Sequence, residues 1–181
     1  VDLIHELGHV LWGIAAGGRL AYMKIACLAI YPELELTSEF ILGHVVVEGL
    51  STDFARGLFL LGGSLTTNVA SWLIMPLLAK RRMRVGGKIA LRIFVLLGIL
   101  DLPLYVMLPQ IGLRHWVFLG GDTPEPLLGV RMMGIPDPAL YLITALTALG
   151  QLYLCFGNLA PTSWREKSHD LVTRSVLSRK A

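Results

Sequence analysis

Apolar residues occupy long blocks of this chain, and the polar residues between the blocks divide it into segments. The first block, residues 1–17, is short and ends at a Gly-Gly pair, which is typical of a helix end. Three further blocks each have about the 20 residues that cross a bilayer, and they cover residues 58–78, 89–108 and 139–157. The pattern predicts about four transmembrane helices, and we expect the first to begin upstream of Val1.

The segments between these blocks have a different character. Residues 19–55 are rich in β-branched and aromatic side chains with partial alternation, which predicts a β-containing insert of two to four short strands. Residues 109–138 form a long connector whose glycines and prolines exclude a continuous helix, and we expect it to help form a substrate entrance. Residues 162–181 form a polar tail, predicted to lie at the membrane surface.

Composition supports a membrane protein. Hydrophobic residues make up 54% of the 181 residues and charged residues only 16%, which is too apolar for an ordinary soluble domain. We therefore predict an all-α membrane fold, a single-domain multi-pass bundle of about four transmembrane helices with a small β region after the first helix. The lipid bilayer is its expected environment.

Positive charge is distributed as a topology signal. The basic residues cluster at the ends of apolar blocks, which argues against a nucleic-acid partner. Most of them lie in the turn at residues 80–88, just after it, or in the polar tail, so we predict that the turn and the tail are cytoplasmic. Of the 16 basic residues, those on the opposite side are Arg19, Lys24, Arg56, Arg114 and Arg131.

The first apolar block contains the pattern H-E-x-x-H, as His5-Glu6-Leu7-Gly8-His9. Residues four apart share one face of a helix, so His5 and His9 can direct their imidazoles at one metal ion, with Glu6 beside them. Zinc suits such a site, because it lowers the pKa of a bound water and a neighbouring carboxylate can take the proton. The alternative is that the two histidines are ordinary buried groups of an apolar helix.

Two further polar residues lie inside predicted spans. A carboxylate at membrane depth is costly unless it is paired, protonated or metal-bound, so Asp101 is the predicted third ligand. The primary amide of Asn68 could donate to a substrate carbonyl or oxyanion. The rise per residue of a helix places Asp101 at a depth in the membrane close to that of His9. Asp122 is the alternative ligand, but it would have to fold back from the connector. The connector also contains His115 and Glu125.

These features together resemble the site-2 protease family of intramembrane zinc metalloproteases. The likeness covers about residues 1–108: H-E-L-G-H in an apolar helix, a following β region, a span with Gly-Gly and a later intramembrane Asp. It implies that His5, His9 and Asp101 hold Zn²⁺ and that Glu6 activates water. The chain departs from the family where Leu100-Asp101 is followed by Leu102-Pro103, because the family usually has Leu-Asp-Gly after an Asn- and Pro-rich approach.

We therefore predict an intramembrane zinc-dependent endopeptidase that hydrolyses peptide bonds of a membrane protein or peptide substrate. The main alternative is a non-proteolytic membrane metal-binding or scaffold protein of the same fold. A transporter that uses Asp101 and the histidines as a cation path is a weaker alternative, because it gives Glu6 no role.

Overall fold

The computed structural model describes residues 1–78, 83–116 and 120–157. These residues form five α-helices and one antiparallel pair of strands. The elements, in chain order, are α1 (Asp2–Ala15), β1 (Arg19–Tyr31), β2 (Glu35–Glu48), α2 (Asp53–Leu78), α3 (Val85–Met107), α4 (Glu125–Met132) and α5 (Asp137–Gly157), with a 3₁₀ turn at Pro109–Ile111.

Three of these helices, α2, α3 and α5, are long and apolar enough to cross a membrane. Helix α1 has 14 residues and is therefore about 21 Å long, shorter than the ~30 Å hydrocarbon core of a bilayer. The predicted layout of about four transmembrane helices with a small β region is wrong. The described chain has three such helices, two shorter ones and a hairpin with strands of 13 and 14 residues.

The hairpin lies beside α1. Strands β1 and β2 pair with Lys24 opposite His44 and Ile25 opposite Gly43. A side chain at Gly13 or Gly18 of the α1 segment would meet Val47 of β2, so the strand lies very close to the helix. The hairpin is therefore positioned by α1, the helix that carries the H-E-x-x-H motif.

Helix α2 makes close contacts with both short helices at glycines. A Cβ on Gly8 of α1 would lie 2.5 Å from the carbonyl oxygen of Gly62, and a Cβ on Gly129 of α4 would lie 2.6 Å from that of Gly57. Small residues allow helix backbones to approach closely. Both α1 and α4 therefore pack closely against α2 at its glycines.

Apolar clusters hold the rest of the bundle together. Helix α4, which lies within the predicted connector, packs into one of them through Leu127 and Val130. The other residues of that cluster come from α3 and α5 and are Leu102, Val106 and Leu140. A second cluster of Met75, Val95 and Ile99 joins α2 to α3. The predicted connector therefore contributes a helix to the packed interior.

Candidate metal centre

Two imidazoles of α1 face each other. His5 and His9 lie one helical turn apart, and both are buried. Their Nε2 atoms are 3.1 Å apart, close to the ~3.3 Å separation of two nitrogens that each lie about 2.0–2.1 Å from one tetrahedral zinc ion. The structure therefore brings the two predicted histidine ligands together.

The other nitrogen of each imidazole contacts a hydrogen-bond acceptor. His5 Nδ1 lies 3.1 Å from Oδ2 of Asp101, and His9 Nδ1 lies 2.7 Å from the carbonyl oxygen of Phe59. Because a carboxylate and a carbonyl only accept, both Nδ1 atoms carry the hydrogen, and a ring that is neutral then keeps a lone pair on Nε2. Two lone pairs at this separation repel unless a proton or a metal ion lies between them. Metal-ligating histidines show the same pattern of outer hydrogen bonds.

Asp101 contacts the far side of His5, away from the two Nε2 atoms. Its Oδ2 also accepts a hydrogen bond of 2.8 Å from Oγ1 of Thr67, and its side chain is buried. The structure thus differs from the prediction that Asp101 is the third ligand: the carboxylate orients the imidazole through Nδ1. The depth of Asp101 along its helix predicted that it would lie near the histidines, but depth does not tell which ring nitrogen the carboxylate contacts.

The carboxylate nearest to the two Nε2 atoms is that of Glu125. Its Oε2 lies 3.5 Å from Nε2 of His9 and 4.0 Å from Nε2 of His5. Within residues 1–78, 83–116 and 120–157, these three side chains are the group of His, Cys, Asp or Glu whose ligand atoms all lie within 4.8 Å of one another. Burial raises the pKa of Glu125, but its contacts with His5 and His9 outweigh burial and lower the pKa to about 2. An ionised carboxylate is the form that binds a metal ion.

Glu125 is the first residue of α4 and lies between two prolines, Pro124 and Pro126. Proline is favourable in the first turn of a helix, and an acidic side chain there is stabilised by the helix dipole. The stretch D-T-P-E-P is therefore a helix-start signal inside the predicted connector. That signal could have distinguished Glu125 from the other polar residues of the connector.

Gly63 of α2 lies against the same two nitrogens. A Cβ at this position would collide with Nε2 of both His5 and His9. The missing side chain leaves open the space where the lone pairs converge, so the residues present fit a small cation. The Gly-Gly pair of the second apolar block thus has two different roles, since Gly62 contacts α1 and Gly63 faces the histidines.

Glu6 is 5% exposed and lines a cavity of about 610 Å³ that His9 and Glu125 also line. Gly43 of β2 lies against it, and a side chain at that position would collide with the Glu6 carboxylate. A cavity of this volume is in the usual range for small-molecule sites and can hold a short stretch of peptide. The predicted base and two of the three converging groups therefore share one cavity.

Asn68 does not line this cavity, so the structure does not support its predicted contact with a substrate or oxyanion. It is 7% exposed, and its backbone carbonyl oxygen accepts a hydrogen bond of 3.2 Å from Nε2 of Gln151. The preceding residue, Thr67, is the one that contacts Asp101. Since successive residues of a helix project about 100° apart, Asn68 points elsewhere. Asp122 lines the cavity but does not belong to the converging group.

Tyr105 and His115 also line the cavity. The ring of Tyr105 stacks on His5 on one side and on His115 on the other, with centroid separations of 4.5 and 3.8 Å. His115 contacts the carbonyl of Thr123 through Nε2, and burial lowers the pKa of its imidazole, so the neutral ring donates from Nε2. Sequence reasoning missed Tyr105, although it lies one helical turn after Asp101 on the same face of α3.

Comparisons of this chain with protein-family models, curated proteins and solved structures gave no match. The chemistry of the site is therefore inferred from its own geometry.

Proposed function

We propose that this chain is a zinc-dependent intramembrane endopeptidase, similar in activity to the site-2 proteases that its motif resembles. One observation carries the proposal: the Nε2 atoms of His5 and His9 converge on the Glu125 carboxylate while both Nδ1 atoms contact acceptors. The general base that hydrolysis needs, Glu6, lines the same cavity. Neither the scaffold nor the transporter alternative accounts for Glu6.

The chemistry of the three converging groups fits zinc. Two imidazoles and one carboxylate are a common set for hydrolytic zinc, which keeps a further position open for water. When bound, zinc acts as a Lewis acid that makes a water molecule acidic enough to be deprotonated near neutral pH. Asp101 and the Phe59 carbonyl orient the two imidazoles through their Nδ1 atoms.

Glu6 carries the proton through the reaction. It takes one proton from the attacking water as the new carbon–oxygen bond forms on the scissile carbonyl. It then gives that proton to the leaving nitrogen as the carbon–nitrogen bond breaks. Because Glu6 lies against Gly43, its carboxylate is at the wall of the cavity that β2 forms.

The proposed substrate is an extended peptide segment of a membrane protein. Residues 40–45 of β2 line one wall of the cavity, and β2 pairs with β1 on only one of its edges among the described residues. An extended peptide can hydrogen-bond to a free strand edge. The three helices that are long enough to cross a membrane support a location in the bilayer.

Charge bias supports an orientation with the basic turn and the C-terminal tail in the cytoplasm. Residues 79–82 of that turn and residues 158–181 lie outside the described residues. Arg84 and Lys88 flank the start of α3, so this end of α3 is the proposed cytoplasmic end.

The test compares the full chain with its Glu6→Gln variant in liposomes that contain zinc and a single-span reporter protein. We expect the wild type to cleave the reporter, and the variant to lose at least about 1,000-fold in rate because the base is gone. The zinc content of both proteins, measured by mass spectrometry, should be equal, since Glu6 is not a ligand. Cleavage that survives in the variant would contradict the mechanism. Zinc binding without any cleavage by the wild type would favour the scaffold alternative.

A further inference from the structure

Tyr105 is held on both faces of its ring. His5 stacks on one face with an interplanar angle of 30°, and His115 stacks on the other at 29°. The residue is 6% exposed. A ring clamped in this way can flip by 180°, but a flip leaves the hydroxyl where it was. The position of the phenolic oxygen is therefore set before any substrate arrives.

The hydroxyl of Tyr105 forms no hydrogen bond with the part of the chain that the structure describes. The residue lines the cavity that Glu6, His9 and Glu125 also line. At neutral pH a phenol is an O–H donor. The cavity therefore contains a neutral donor that is available to a bound molecule.

The other donors near the cavity are less suitable for this position. The Nε2–H of His115 is already used by the Thr123 carbonyl, and Asn68 does not line the cavity. Arg114, His44 and Thr123 line it, but all three are exposed to solvent. A fixed donor in a buried site stabilises developing charge better than an exposed one, because it needs no reorganisation during the reaction.

We propose that Tyr105 is a catalytic residue that donates its hydroxyl hydrogen bond to the oxyanion of the tetrahedral intermediate. The proposal rests on the proposed function. When water adds to the scissile carbonyl, a carbon–oxygen bond forms, the π electron pair moves to the carbonyl oxygen and Glu6 takes a proton. When the intermediate collapses, that electron pair re-forms the carbonyl and the carbon–nitrogen bond breaks. The leaving nitrogen then takes the proton from Glu6.

The test is Tyr105→Phe in the full zinc-loaded chain, which removes one oxygen and keeps the stacked ring. We expect kcat on the reporter to fall about 100- to 1,000-fold, with KM changed less than about threefold. A phosphinic peptide imitates the tetrahedral intermediate, and its affinity for Tyr105→Phe, measured by calorimetry, should fall by a similar factor. The amide peptide of the same sequence imitates the substrate, and its affinity is measured in the Glu6→Gln background so that it is not cleaved. We expect that affinity to be equal in Glu6→Gln and in the Glu6→Gln/Tyr105→Phe double variant. The matched control is Tyr141→Phe, because Tyr141 donates to Gln110 and lies outside the cavity.

Unchanged kcat and phosphinic-peptide affinity in Tyr105→Phe, with a normal zinc content, would overturn this inference while leaving the proposed function intact. A wild-type chain that cleaves no reporter would overturn the proposed function and this inference with it. Tyr105→Leu separates packing from hydrogen bonding: a role in packing alone predicts loss in the Leu variant and full activity in the Phe variant. Equal loss of kcat in the Phe and Leu variants supports the role of the hydroxyl.

Discussion

Two short helices, α1 and α4, pack against the same long helix α2, and each supplies part of the site. At both contacts a glycine of the short helix lies against a glycine carbonyl of α2. The α1 contact is also fixed by a hydrogen bond of 3.1 Å from Trp12 Nε1 to Thr66 Oγ1. The α4 contact is instead stabilised by apolar packing of Leu127 and Val130.

The difference shows how unequally the two helices determine the site. On α1, the spacing of His5 and His9 places both imidazoles on one face, so the helix itself sets their separation. On α4 a single residue, Glu125, reaches the site, and its position depends on where the connector returns the chain to α2. Changes in packing at the α1 contact should therefore disrupt the site more than changes in packing at the α4 contact.

The largest effect is expected at Gly63. In Gly63→Ala the new Cβ collides with Nε2 of both histidines, so the imidazoles must move apart. We expect zinc affinity to fall about 100-fold or more, since a displacement of about 1 Å has effects of this size in active sites. Competition with a chelator of known affinity measures it. The matched control is Gly86→Ala, because a Cβ at Gly86 meets no atom within 4 Å; equal zinc affinity in the two variants would refute the placement of Gly63.

A smaller loss is expected when the outer hydrogen bond of His5 is changed. Asp101→Asn keeps the shape of the side chain and one oxygen that can accept the Nδ1–H hydrogen, but it removes the negative charge that makes the imidazole a stronger ligand. We expect zinc affinity to fall about 10- to 100-fold, the usual cost of losing such an orienting partner. Thr67→Val, which removes the hydrogen bond to Asp101, should weaken binding less than Asp101→Asn does. Complete loss of zinc from Asp101→Asn at stoichiometric concentration would instead indicate that Asp101 is itself a ligand.

The smallest effect is expected at the α4 contact. In Gly129→Ala the added methyl group lies 2.6 Å from the Gly57 carbonyl oxygen and 3.1 Å from the Leu61 nitrogen. Overpacking of this kind costs about 1–3 kcal/mol in free energy of unfolding, and the short helix can shift as a unit. We expect zinc affinity to fall about tenfold or less. A loss as large as that of Gly63→Ala would show that the two contacts constrain the site equally.

The sequence predicted the side chains that α1 contributes to the candidate site, but it did not predict the one that α4 contributes. The H-E-x-x-H pattern predicted which side chains meet because helix geometry relates residues four apart. No local rule relates Glu125 to His9, since their contact depends on how α4 packs. Asp101 shows an intermediate case: its position inside an apolar block made it a functional candidate, but only tertiary structure tells which nitrogen of His5 it contacts. The apolar block at α1 suggested a fourth span, and the described helix there has 14 residues.

We infer that His5, His9 and Glu125 form one metal centre, and the zinc content of the protein tests this inference most directly. The measurement is zinc per chain after dialysis against trace zinc, for the wild type, Glu125→Gln and the matched control Asp122→Asn, which changes another carboxylate of the same cavity. We predict about one zinc per chain in the wild type and in Asp122→Asn, and a large loss in Glu125→Gln because a neutral amide is a poor zinc ligand. Full zinc content in Glu125→Gln, or its loss from Asp122→Asn alone, would contradict the account.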